Sequence, residues 1–63
     1  MKRRIEIIFK NYTRLVITAE RNIIERDNRL EIFDIEEHKM FFINIEEIIY
    51  YTIKLLNIKG ENK

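Results

Sequence analysis

The chain has no cysteine, proline, serine, glutamine or tryptophan, and only one glycine and one histidine. Without cysteine there is no disulfide and no thiolate metal site. One histidine is too few for an ordinary zinc cage. Nucleophilic catalysis draws on an activated Ser, Cys, Thr or Lys beside a base, and two of those four types are missing. The lone glycine, Gly60, sits in a polar terminal stretch, so no glycine-rich loop can cradle a phosphate. No run approaches the ~20 apolar residues of a membrane-spanning helix, and no signal-peptide core follows the opening Met-Lys-Arg-Arg. These absences predict a cytoplasmic, non-enzymatic protein with no cofactor, no metal and no membrane partner. If a phage encodes it, the cytoplasm is that of the host cell.

What is present is isoleucine and charge. Fourteen of the 63 residues are Ile, nine are Glu, and six each are Asn and Lys. These residues go with A/T-rich codons, an association with AT-rich bacterial genomes and their phages. The twelve basic and eleven acidic residues interleave, for a net charge of +1. That balance argues against strong nonspecific attraction to nucleic acid or anionic membrane. A domain of ~60 residues buries only about 60% of the surface that its unfolded chain exposes. Small domains usually add a staple; with disulfides and metals excluded, the one left is oligomerisation.

Period-two alternation reads as strand. Residues 4 to 10 place Ile5, Ile7 and Phe9 on one side, and residues 14 to 20 place Leu15, Ile17 and Ala19 on one side. A three-residue loop, Asn11-Tyr12-Thr13, matches these faces and pairs Phe9 with Leu15, Ile7 with Ile17, Ile5 with Ala19, Arg4 with Glu20 and Ile8 with Val16. Asp27-Asn28 is a hairpin-turn signal between 22–26 and 29–35, with the register left open. Glu37-His38 is expected to join 29–36 to 39–43, pairing Glu36 with Lys39, Ile35 with Met40, Phe33 with Phe42 and Ile32 with Ile43.

Residues 40 to 53, MFFINIEEIIYYTI, hold ten apolar or aromatic side chains in fourteen. A helix has local support: Asn44 as cap, Glu47 completing a capping box, Gly60 as stop. It would leave Tyr50, Tyr51 and Leu55 on the outer side, and Ile, Tyr and Thr favour strands. The preferred reading is a tight helical turn near 44–47 feeding a strand, with Ile49, Tyr51, Ile53 and Leu55 on one face and Tyr50, Thr52 and Lys54 on the other. The expected fold is therefore mainly β: a small antiparallel meander of five to six short strands, as a curled sheet or small barrel. It forms a single domain over 1–56 with a flexible polar tail over 57–63. The alternative is an antiparallel sheet plus one C-terminal helix at about 45–58.

Carboxylate pairs Glu36-Glu37 and Glu46-Glu47 read as solvated turn charges rather than acid–base machinery. Asp34, Glu36 and His38 would share one face of an extended strand, but a solvated turn histidine is the simpler reading. Arg3, Arg4, Arg14, Arg21, Arg26 and Arg29 are the candidate nucleic-acid contacts, with Tyr12, Phe33, Phe41, Tyr50 and Tyr51 as stacking platforms. Pairing of the arginines with Glu20, Glu25, Asp27 and Glu31 is the competing account. Apolar residues on both sheet faces favour protein contact. The candidate self-association or partner surface is Ile8, Val16, Phe41, Ile43, Tyr50 and Tyr51, and a symmetric homodimer is the expected form.

Three segments then carry a resemblance: Ile-Glu-Ile-Ile-Phe-Lys, the meander segment Arg-Leu-Glu-Ile-Phe-Asp, and Phe-Phe-Ile-Asn-Ile-Glu-Glu-Ile-Ile-Tyr-Tyr. Across residues 3 to 54 the pattern resembles small proteins of Firmicutes and their phages, among them the Hachiman anti-defence family. The likeness lies in pattern and composition and carries over no functional residue. It implies a compact, oligomeric inhibitor that binds a host protein. A small-barrel nucleic-acid or nucleotide-binding protein, and a structural subunit of a larger assembly, are the other functions compatible with the sequence.

Overall fold

The computed structural model describes residues 1–56. Six strands are present: β1 (Arg3–Phe9), β2 (Arg14–Ala19), β3 (Ile24–Arg26), β4 (Arg29–Asp34), β5 (Lys39–Asn44) and β6 (Ile48–Leu55). A single 3₁₀ turn, Ile45–Glu47, precedes β6. The strands form two three-stranded antiparallel sheets, ordered β2-β1-β6 and β3-β4-β5. The fold is mainly β, as the alternation implies, and a helix over 45–58 is excluded across the described part of that range. Asn44 caps the 3₁₀ turn as its side-chain oxygen accepts from the Glu46 N–H at 2.9 Å. Ile48, the residue after the turn, is already extended, with φ −100° and ψ 131°, so the turn delivers the chain directly into a strand. The tail expected over 57–63, Gly60 included, lies outside the described residues.

The first hairpin keeps the expected loop length but moves it by one residue. Tyr12 N–H donates to Phe9 O at 2.8 Å and Phe9 N–H to Thr13 O at 2.9 Å, so the loop is Lys10-Asn11-Tyr12. Tyr12 takes the left-handed position at φ 68°. Asn11, the residue that tolerates that conformation best, instead accepts from the Thr13 N–H and hydroxyl at 3.1 and 2.6 Å. The register moves by two: Ile7 faces Leu15, Ile5 faces Ile17, Arg4 faces Thr18 and Ile8 faces Arg14. An even shift preserves the faces, so the apolar side is as expected while each expected partner is replaced.

The turn between β4 and β5 differs in the same way. Asp34 accepts from the backbone N–H groups of Glu36 and Glu37 at 2.8 and 3.2 Å. That ends β4 early and gives a four-residue turn, 35–38, closed by His38 at φ 56°. Ile32 therefore faces Phe41 and Phe33 faces Met40, not Ile43 and Phe42. Asp34, Glu36 and His38 do not share a strand face, since only the first lies on a strand. Asp27-Asn28 forms the expected two-residue turn, with φ 53° and 61° at the two positions, the positive pair that such hairpins need.

The inner faces of the two sheets share one core: Ile5, Ile7, Ile17 and Ala19 from the first, Leu30, Ile32 and Ile43 from the second. Burying a large aliphatic side chain of this kind contributes roughly 1.5–3 kcal/mol. One backbone bond joins the two sheets, from Ile35 N–H to Thr18 O at 2.9 Å, while Ile45 N–H donating to Asn28 O at 3.0 Å extends the β4–β5 ladder by one rung. The last strand is the exception to this enclosure. Every residue of β6 after Ile48 is exposed.

Candidate protein-binding surface

Among the described residues β6 pairs along one edge only, with β1. Cross-strand partners share a face, and Tyr51 and Ile53 are the partners of buried Ile7 and Ile5. Their face is thus the core face of the first sheet, continued past the cover of the second. Tyr51 is 40% exposed, Ile53 49% and Leu55 58%. On the opposite face Ile8 stands directly across from Tyr50, with Val16 on the same face one pair along in β2. Both faces of β6 therefore present apolar or aromatic side chains to solvent. A register shift at Ile8/Phe9 makes Ile49 an extra residue in β6, a bulge at the start of the strand. An open cleft of about 350 Å³ lies beside it, lined by Leu30, Ile45, Ile48, Ile49 and Tyr51 with Glu25 at the β3 side.

The six surface candidates do not form one patch. Ile8, Val16 and Tyr50 share the outer face of the first sheet, while Tyr51 is on its inner face. Ile43 is only 6% exposed and belongs to the core, and Phe41 packs half-buried against it. The register explains this correction: Ile43 faces Leu30 and Phe41 faces Ile32, so both side chains point inward. Ile53 and Leu55 are surface residues that the candidate set missed. Their signal was the length of the alternating run, which leaves β6 longer than any other strand.

The arginines also divide. Arg3 donates to the backbone carbonyls of Glu20 and Arg21 at 3.2 and 3.1 Å. Arg14 pairs with Glu6. Arg26 and Arg29 both reach Glu31, at 2.9 and 3.4 Å. Glu31 is 7% exposed, and the Arg26 hydrogen bond, with Arg29 beside it, holds its carboxyl below the ordinary carboxylate value against the opposing effect of desolvation. Arg21 lies over Phe33 at 5.7 Å and Arg29 over Phe42 at 5.1 Å. These two contacts occupy the outer side of the second sheet, while Arg4 and Arg14 lie on the first. The six cations line no common groove.

No family model, no curated protein and no solved structure matches this chain. The functional reading therefore rests on the surface itself. Among the described residues no group of three or more His, Asp or Glu side chains is placed to hold a metal ion, and no helix is long and apolar enough to cross a membrane.

Proposed function

We propose that this chain is a non-enzymatic protein-binding protein that acts by contact, as a homodimer, through the surfaces around β6. The observation that carries the reading is an eight-residue edge strand with apolar side chains exposed on both faces. Long apolar edges invite pairing, and proteins that work alone usually blunt them with charge, proline or cover. β6 carries one charge, Lys54, and no proline, and its bulge at Ile49 lies at its start, leaving 50–55 in regular register with β1. The resemblance noted in the sequence supplies the biological setting: a phage-encoded inhibitor of a bacterial defence system whose target is a host protein. Expression in bacteria carrying a panel of defence systems, followed by phage challenge, tests that setting. Infection is rescued against at least one system if the reading is right; rescue against none of a broad panel contradicts it.

A nucleic-acid reading draws on Arg21, Arg29, Phe33 and Phe42 on the outer side of the second sheet. The same face holds the Glu31 carboxylate, which engages Arg29 and the neighbouring Arg26. A binder of this kind would show affinity that falls steeply with salt. Failure to bind at low salt removes it. A structural subunit of a larger assembly would use the same β6 surfaces and differs only in the identity of its partner.

A further inference from the structure

The outer edge of β6 has no paired strand among the described residues. Leu56 N–H donates to Lys2 O at 2.9 Å, in register with the Arg3–Leu55 pair. Hydrogen-bonded and non-hydrogen-bonded pairs alternate along an antiparallel ladder. Lys54, Thr52 and Tyr50 thus spend their backbone groups on β1. The N–H and C=O groups of Tyr51, Ile53 and Leu55 point to the other side, where no described strand pairs with them.

We infer that this edge joins a second copy of the chain, antiparallel, with Thr52 opposite the partner's Thr52 on the two-fold axis. The sequence of the strand singles out that register. It sets Tyr51 against the partner's Ile53, Tyr50 against the partner's Lys54 and Ile49 against the partner's Leu55. The aromatic–β-branched, Thr–Thr and cation–aromatic neighbours are all favourable cross-strand pairs. The register also overlaps seven of the eight residues of β6, all but Ile48. Sliding to put Lys54 on the axis would oppose the strand's only charge to itself and leave half the strand unpaired. At each end the partner's Leu55 arrives beside Ile49, at the cleft between β6 and β3. The result is one continuous six-stranded sheet, β2-β1-β6 followed by its symmetry mate. Ile8, Val16 and Tyr50 remain on its outer face.

This interface rests on the proposed protein-contact reading, but its test reads self-association alone. The chain has no cysteine, so single cysteines report the axis directly. Non-hydrogen-bonded antiparallel pairs bring Cα atoms to about 4.5 Å, within the ~4.4–6.8 Å that a disulfide spans. Chains of all 63 residues carrying Tyr50→Cys, Tyr51→Cys, Thr52→Cys, Ile53→Cys or Lys54→Cys are incubated in a mild glutathione redox buffer. Thr52→Cys is expected to form the disulfide dimer roughly tenfold faster than Tyr50→Cys or Lys54→Cys. A maximum at any other position, or equal rates at all five, overturns the register. Ile53→Pro supplies the second arm. It deletes an N–H that only the partner uses, and proline is tolerated where the N–H faces away from a sheet edge. A folded, monomeric Ile53→Pro beside a dimeric parent supports the interface; an undiminished dimer contradicts it. A dimer with this register in a chain that rescues no infection would retain the interface and remove the inhibitor setting.

Discussion

Ile7 and Tyr51 are directly opposed across β1 and β6 and share one face of the sheet, yet Ile7 is fully buried while Tyr51 is 40% exposed. The boundary of the core runs between two adjacent side chains. The second sheet covers β1 and β2 and stops short of β6. Folding draws on one strip of this face, and the proposed association would draw on the neighbouring one.

That division predicts opposite phenotypes for two truncations. Ile7→Ala should cost about 2–5 kcal/mol, the range for deleting a buried aliphatic side chain. Tyr51→Ala should leave the monomer within about 1 kcal/mol of the parent, as exposed positions do. It should also abolish the dependence of the unfolding midpoint on protein concentration that dimerisation confers. Urea unfolding at two concentrations separates the two effects.

Glu31 predicts a specific acid response. Its pKa is lowered in the folded state, first by the Arg26 hydrogen bond, so the folded protein holds the carboxylate more firmly than the unfolded chain does. The associated stability is present above the ordinary value near 4.5 and is lost as the pH falls through the folded value. Glu31→Gln cannot titrate. The stability gap between parent and Glu31→Gln should be constant at neutral pH and narrow below about pH 4.5, measured by thermal unfolding across that range.

Tyr12 occupies the left-handed region at φ 68° and is 84% exposed. A non-glycine residue pays roughly 1–2 kcal/mol there, and little packing is lost on removing this side chain. Tyr12→Gly should raise stability by up to about 1 kcal/mol after the extra chain entropy of glycine is subtracted. A lower melting temperature would show that Tyr12 makes a contribution beyond its turn geometry.

The outer cluster predicts a separation of function. Tyr50 is 56% exposed, across from Ile8, and Tyr50→Glu should leave the melting temperature nearly unchanged. It should abolish rescue of phage infection where the parent rescues it. Retained rescue would move the target surface away from Ile8, Val16 and Tyr50.

The sequence exposed the strands and their faces because alternation fixes parity. It did not expose registers, because parity is unchanged by a slip of two. Side-chain hydrogen bonds made the choice: Asn11 in the first hairpin and Asp34 after β4. Both residues are turn formers, but pattern matching weighs only apolar partners. The Asp27-Asn28 turn was legible because its two positive φ positions have a dipeptide signature. Ile43 and Phe41 were misplaced as surface because burial depends on the position of the second sheet. The same missing information hid Ile53 and Leu55: nothing local in an alternating run says where its cover ends. Glu31 shows the converse. Its carboxylate is buried because Arg26 and Arg29 close over it from adjacent strand positions.

The apolar surfaces of β6 are proposed to serve protein contact. Native mass spectrometry of the purified chain tests this proposal most directly. A dimer at twice the 7.8 kDa chain mass, with no added mass, is expected. A monomer at tens of micromolar, or a chain that retains a nucleotide or oligonucleotide, would contradict it. Retention would make the arginines rather than β6 the functional surface.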